Sequence, residues 1–175
     1  MKLIEPLAIA IESDDYIVVH AFCDGVPADY RFTCNRGGGI TGVSRDDAFY
    51  FKTYDDPLAA FWLVKSTVDL VTAHDERASL VTGEAGQVRS QPVSIRLSAN
   101  STDSSEYVVT YASISDGRVE ETFTVRGEAP IYTISHGSHQ WTANMRPRMW
   151  EISAETSIRP ILSAILSLHH ARELK

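Results

Sequence analysis

From about residue 157 to about residue 172 the chain carries Ile158, Ile161, Leu162, Ala164, Ile165, Leu166 and Leu168, and only Ser163, Ser167 and His170 make a polar stripe. The spacing predicts a helix, and a helix apolar on nearly every side has to be buried rather than laid on a surface. The rest of the chain must therefore supply a concave apolar face large enough to hold it.

Short β-favouring runs supply that face. Residues 16–22 and 30–34 flank Asp24-Gly25-Val26-Pro27, a turn-forming set, and predict a hairpin. Further strands are expected over 48–54, 93–97, 107–114, 119–125, 131–134, 140–143 and 149–152. The dipeptide Asp116-Gly117 suits a type I′ turn, and pairing across it sets Ile114 against Val119, Thr110 against Phe123 and Val108 against Val125. At Asp56-Pro57 the period changes: Asp56 suits an N-cap, Pro57 a first helical residue, and Phe61, Val64, Val68 and Val71 fall on one face of a helix over 57–74. The expected architecture is α+β. A largely antiparallel sheet of roughly eight to ten strands carries a central amphipathic helix and wraps a buried C-terminal helix.

A chain of 175 residues, 43% hydrophobic and 22% charged with a mean hydropathy of -0.13, fits one domain over 1–175 with a single core. Glu5 and Pro6 interrupt the first apolar run, so the start reads as a structural element rather than a signal segment. No stretch reaches the roughly 18 apolar residues of a membrane span. Cys23 and Cys34 are the only cysteines and are expected to be free, buried thiols, in keeping with a cytoplasmic chain. The net charge of -7 argues against nucleic acid, because release of counterions from phosphates needs clustered Lys and Arg. It is compatible with a basic protein partner.

The motifs exclude more chemistry than they suggest. Gly37, Gly39 and Gly42 have the spacing of a dinucleotide fingerprint, but Val43-Ser44-Arg45-Asp46-Asp47 opens no helix whose amides could hold a pyrophosphate. The segment 36–42 is either a flexible connection between strands or a protruding loop. In the second case Gly37, Gly38 and Gly39 let the backbone approach a partner while Arg36 and Arg45 reach its carboxylates or phosphates. His136 and His139 fall in a turn, and His169 and His170 are expected to face different sides of their helix, so no metal site is assigned. There is no nucleophile elbow, and Asp14-Asp15, Asp46-Asp47 and Asp55-Asp56 read as turn and cap residues. No catalytic residue and no cofactor are assigned. Trp62 reads as core, whereas Trp141 and Trp150 flank Asn144-Met145-Arg146-Pro147-Arg148, where aromatic and Arg residues gather beside one exposed connection as they do at interfaces.

With this glycine loop, acidic balance and missing catalytic centre, the chain resembles, in size and character, the small immunity proteins or antitoxins of bacterial polymorphic toxin systems. The resemblance implies a protein-binding inhibitor that blocks a toxin enzyme through an exposed loop, with Arg36, Gly37, Gly38, Gly39 and Arg45 at the interface. A second likeness, to tubby-like barrels that end in an apolar helix after many strands, implies a lipid-facing or scaffold role. The alternative from another class is a small-molecule or lipid-binding protein, or an enzyme, with a cavity between the sheet and the C-terminal helix. A deep pocket bearing convergent His, Asp or Arg side chains is its mark.

Overall fold

The computed structural model describes residues 4–13, 16–23, 25–34, 40–45, 57–75, 91–113, 117–147, 149–156 and 158–173. In chain order these form β1 (Ile4–Ser13), β2 (Tyr16–Cys23), β3 (Val26–Cys34), β4 (Ile40–Arg45), α1 (Pro57–Asp75), β5 (Gln91–Asn100), β6 (Ser104–Ser113), β7 (Gly117–Glu128), β8 (Ile131–His136), β9 (His139–Arg146), β10 (Met149–Ile152) and α2 (Arg159–Glu173). The α+β class expected from the sequence is the one observed, and the described strands make one ten-stranded sheet, ordered β10-β9-β8-β7-β6-β5-β1-β2-β3-β4. Two antiparallel meanders, β1 to β4 and β5 to β10, join where Ile9 of β1 faces Ile95 of β5. The chain has to return from β4 to the far side of β1, and α1 lies within that return, packed against β1 and β5.

Period-two alternation gives the sheet one apolar face. Ile9, Ile17, Val19, Ile95, Tyr107, Val109, Tyr111, Phe123, Val125, Tyr132, Ile134, Trp150 and Ile152 all point into the core. Pro6 in β1 and Pro92 in β5 both sit beside a register shift, the kind of irregularity at which a strand accommodates proline. Between β8 and β9, His136 pairs with His139 and Gly137 takes a φ of 56°, the left-handed conformation that a two-residue turn demands.

Helix α2 is buried from Ile161 to Ala171, including the polar stripe of Ser163, Ser167 and His170 and the neighbouring His169, each less than a tenth exposed. It packs on α1, β1 and β10. No helix among the described residues is long and apolar enough to cross a membrane.

Several expectations are corrected. Strand β4 begins at Ile40, so the glycine loop does not extend to Gly42, which pairs with Thr33 inside the ladder. Residues 36–39 and 48–54 lie outside the described residues. The β6–β7 hairpin forms and buries Phe123 and Val125, but its register differs by three residues: Tyr107 faces Phe123, Tyr111 faces Val119, and Ser113 faces Gly117. An odd shift exchanges the faces of a strand. The register implied by Asp116-Gly117 would turn Tyr107, Val109 and Tyr111 outward, and burying two tyrosines and a valine outweighs one favourable turn. The buried face of α1 is also rotated from the one expected. Ala59, Leu63, Ser66, Thr67 and Leu70 face inward, while Phe61 is 37% exposed. Ser66 and Thr67 can be buried because their hydroxyls donate to the carbonyls of Ala164 at 2.7 Å and Val64 at 2.7 Å. Cys23 pairs with Val26 at one end of the β2–β3 ladder and Cys34 ends β3. Eight residues at about 3.3 Å each part them, far beyond disulfide reach.

Candidate functional site

A cleft of about 300 Å³ opens where the sheet edge β10 meets the two helices. Its walls come from three places in the chain. Lys65, Asp69 and Thr72 recur at four- and three-residue spacing on α1, and so share one side of that helix. Arg159 and Ser163 are likewise one turn apart on α2, with Thr156 and Pro160 beside them. Strand β10 adds Met149, Trp150 and Ile152.

Alternation along β10 turns Trp150 and Ile152 inward and leaves Met149 59% exposed. Trp150 is held rigidly: its indole N–H donates to Ser167 Oγ at 2.9 Å, and its ring packs 5.2 Å from Trp62 and 5.7 Å from Tyr132. The polar wall is equally ordered. Asp69 Oδ2 accepts from Ser163 Oγ at 2.6 Å and from Lys65 Nζ at 3.1 Å. Burial raises the Asp69 pKa above the usual carboxylate value, and the Ser163 hydroxyl and Lys65 ammonium only partly offset that. The Arg159 guanidinium donates to the Ala154 carbonyl at 2.7 Å and has no carboxylate partner among the described residues. Among the described residues the cleft thus combines a fixed aromatic wall, an exposed thioether, an internally neutralised ion pair and one guanidinium without a carboxylate partner.

A second polar cluster closes the other end of α2. The Tyr107 hydroxyl hydrogen-bonds His169 Nδ1 at 2.8 Å and accepts from Arg172 Nε at 3.3 Å, while Arg172 Nη2 donates to Ser105 Oγ at 2.7 Å. Tyr132 bonds His170 at 3.1 Å, and its ring lies 5.2 Å from His169 and 6.1 Å from His170. The two histidines therefore do not diverge as expected. Neighbours on a helix are only about 100° apart, and both rings converge on Tyr132. Burial first, then the nearby Arg172 and His170, push the His169 pKa down to about 3, so its ring is neutral. Burial also raises Tyr107 and takes Tyr132 up to about 12. The adjoining pit holds only about 50 Å³. This is a satisfied network that locks α2 to the sheet, and it has no room for a substrate.

Among the described residues no three His, Cys, Asp or Glu side chains converge as metal ligands. Of the interface residues expected from the sequence, Arg36, Gly37, Gly38 and Gly39 lie outside the described residues, and Arg45 ends β4 opposite Tyr30. β4 and β10 are at opposite ends of the strand order. The sequence reading pointed to the neighbourhood of Trp150 through its aromatic and Arg cluster, but it missed Lys65, Asp69, Arg159 and Ser163. Only the spacing of Lys65 and Asp69 was there to be noticed. No family model matches this chain, and no curated protein or solved structure matches it either.

Proposed function

We propose that this chain is a binding protein that takes a small ligand with an apolar body into the cleft between β10, α1 and α2. The observation that carries this reading is the join of a rigid apolar wall, Trp150 and Ile152, to the polar wall of Asp69, Ser163 and Arg159 around about 300 Å³. That volume is at the lower end of the roughly 300 to 1,000 Å³ of small-molecule sites, whose usual make-up is an apolar lining with a few fixed polar groups. The test is a titration of the full chain with 3-phenylpropanol and 3-phenylpropanoate, followed by NMR of the Trp150 indole N–H and the Met149 methyl. A saturable shift of both signals is expected in the wild type and none in Thr72→Trp, whose ring fills the cleft. If neither compound moves either signal, the reading is wrong.

The toxin-inhibitor reading is a second proposal. What favours it is that β4, the outer strand of the described sheet at that end, ends in Arg45 and follows directly on Arg36, Gly37, Gly38 and Gly39. Outer strands offer unpaired backbone groups to an incoming protein. A protein partner seated there leaves the Trp150 signal unmoved, so the same spectra separate the two readings.

A further inference from the structure

We infer that the ligand of this cleft is a monoanion: a single carboxylate carried on an aromatic or short aliphatic body. The inference rests on the reading of the cleft as a binding site, and it comes from a charge count of the side chains that face the space.

Among the described residues that line the cleft, three side chains can carry charge: Lys65, Asp69 and Arg159. Lys65 and Asp69 cancel, since they form an ion pair at 3.1 Å and Ser163 holds the same carboxylate oxygen at 2.6 Å. The guanidinium of Arg159 is left over. Its bond to the Ala154 carbonyl at 2.7 Å orients the side chain without neutralising it. Any protonation of the buried Asp69 makes the cleft more positive, so the count errs in the same direction.

The position of Arg159 strengthens the case. It opens α2, whose first turn contains no acidic residue. A helix N-terminus carries partial positive charge, so a cation there is placed against the dipole, and an anion beside it relieves both. A planar guanidinium also takes a carboxylate through two parallel hydrogen bonds. A neutral ligand would cover the guanidinium without replacing its water, which is costly, and an amine would meet it with like charge. A phosphate monoester brings nearly two charges against one free cation. Trp150 and Ile152 then take the apolar body, and the exposed Met149 thioether can fold over it.

The experiment compares 3-phenylpropanoate, 3-phenylpropanol and 3-phenylpropylamine, bodies of one shape with different charge, by calorimetry on the full chain and by the Trp150 indole signal. The carboxylate is expected to bind at least tenfold tighter than the alcohol, with the amine weakest. Arg159→Gln should bring the carboxylate down to the level at which the same variant binds the alcohol. Equal binding of carboxylate and alcohol to the wild type overturns the inference while the cleft reading survives, as does a carboxylate preference that persists in Arg159→Gln. Silence from all three compounds removes the cleft reading and the inference together.

Discussion

The hydroxyl of Tyr107, in the middle of β6, hydrogen-bonds Nδ1 of His169 on the last turns of α2 across 2.8 Å, with both side chains buried. Burial favours the neutral imidazole here. Arg172 at 3.4 Å and His170 in the next position make the charged form still less favourable.

Acid should therefore loosen the α2 end of the molecule at a pH well above the carboxylate range. The folded pKa of His169 is lowered to about 3 from an ordinary 6.5, so the unfolded chain binds the proton first. The associated stability is fully present above pH 6.5 and is lost progressively as the pH falls from there toward 3. By linkage the loss reaches about 2 kcal/mol by pH 5. Urea unfolding at pH 7.5, 6 and 5 should show this decline in the wild type and a flatter profile in His169→Leu. Equal slopes in the two proteins refute the assignment.

The contact between α1 and α2 gives a second prediction. Ser66 is fully buried, and its hydroxyl donates to the Ala164 carbonyl, a close approach that only a small side chain permits. Ser66→Ala loses one hydrogen bond and should cost about 0.5 to 1.5 kcal/mol. Ser66→Leu adds apolar area but overfills the crossing, and should cost more, about 1 to 3 kcal/mol beyond any gain in burial. Urea midpoints rank the two variants, and a leucine variant more stable than the alanine one contradicts the packing described.

Ser66 also shows why some of this fold could be read from the sequence and some could not. The apolar run from Ile158 to Leu168 pointed to a buried helix, and the β-favouring run from Tyr107 pointed to a strand, although the sequence set Val108 and Thr110 inward whereas Tyr107, Val109 and Tyr111 form the core face. Both signals are local and repeated. The inward face of α1 was misjudged because a hydropathy pattern scores Ser66 and Thr67 as polar, although each hydroxyl is satisfied by a carbonyl and can be buried. The β6–β7 register was misjudged because Asp116-Gly117 is a local preference and the burial of two tyrosines is a tertiary one. The cleft was hidden for a simpler reason: Asp69 and Ser163 stand 94 positions apart and meet only once α1 crosses α2.

Asp69 carries the last prediction, and its pH dependence has the opposite sign to that of His169. Its folded pKa is raised by burial, so the stability linked to its protonation is fully present below the ordinary value of 3.8 and is lost as the pH rises through the folded value. At neutral pH the carboxylate is therefore a net cost to the fold, offset in part by Ser163 and Lys65. Asp69→Asn keeps an oxygen to accept from Ser163 and removes the buried charge, while Lys65, 21% exposed, can turn to water. Its melting temperature at pH 7 should equal or exceed that of the wild type, with the advantage shrinking toward pH 4. Asp69→Ala takes away the acceptor as well and should melt lower than Asp69→Asn at every pH. A fall of more than about 3 °C in Asp69→Asn at pH 7, equivalent to about 1 kcal/mol in a chain of this size, would show that the ion pair with Lys65 stabilises the fold outright. In that case the Lys65–Asp69 pair is a structural one within α1, tied to α2 through Ser163, and the cost of burying the carboxylate is smaller than its surroundings imply.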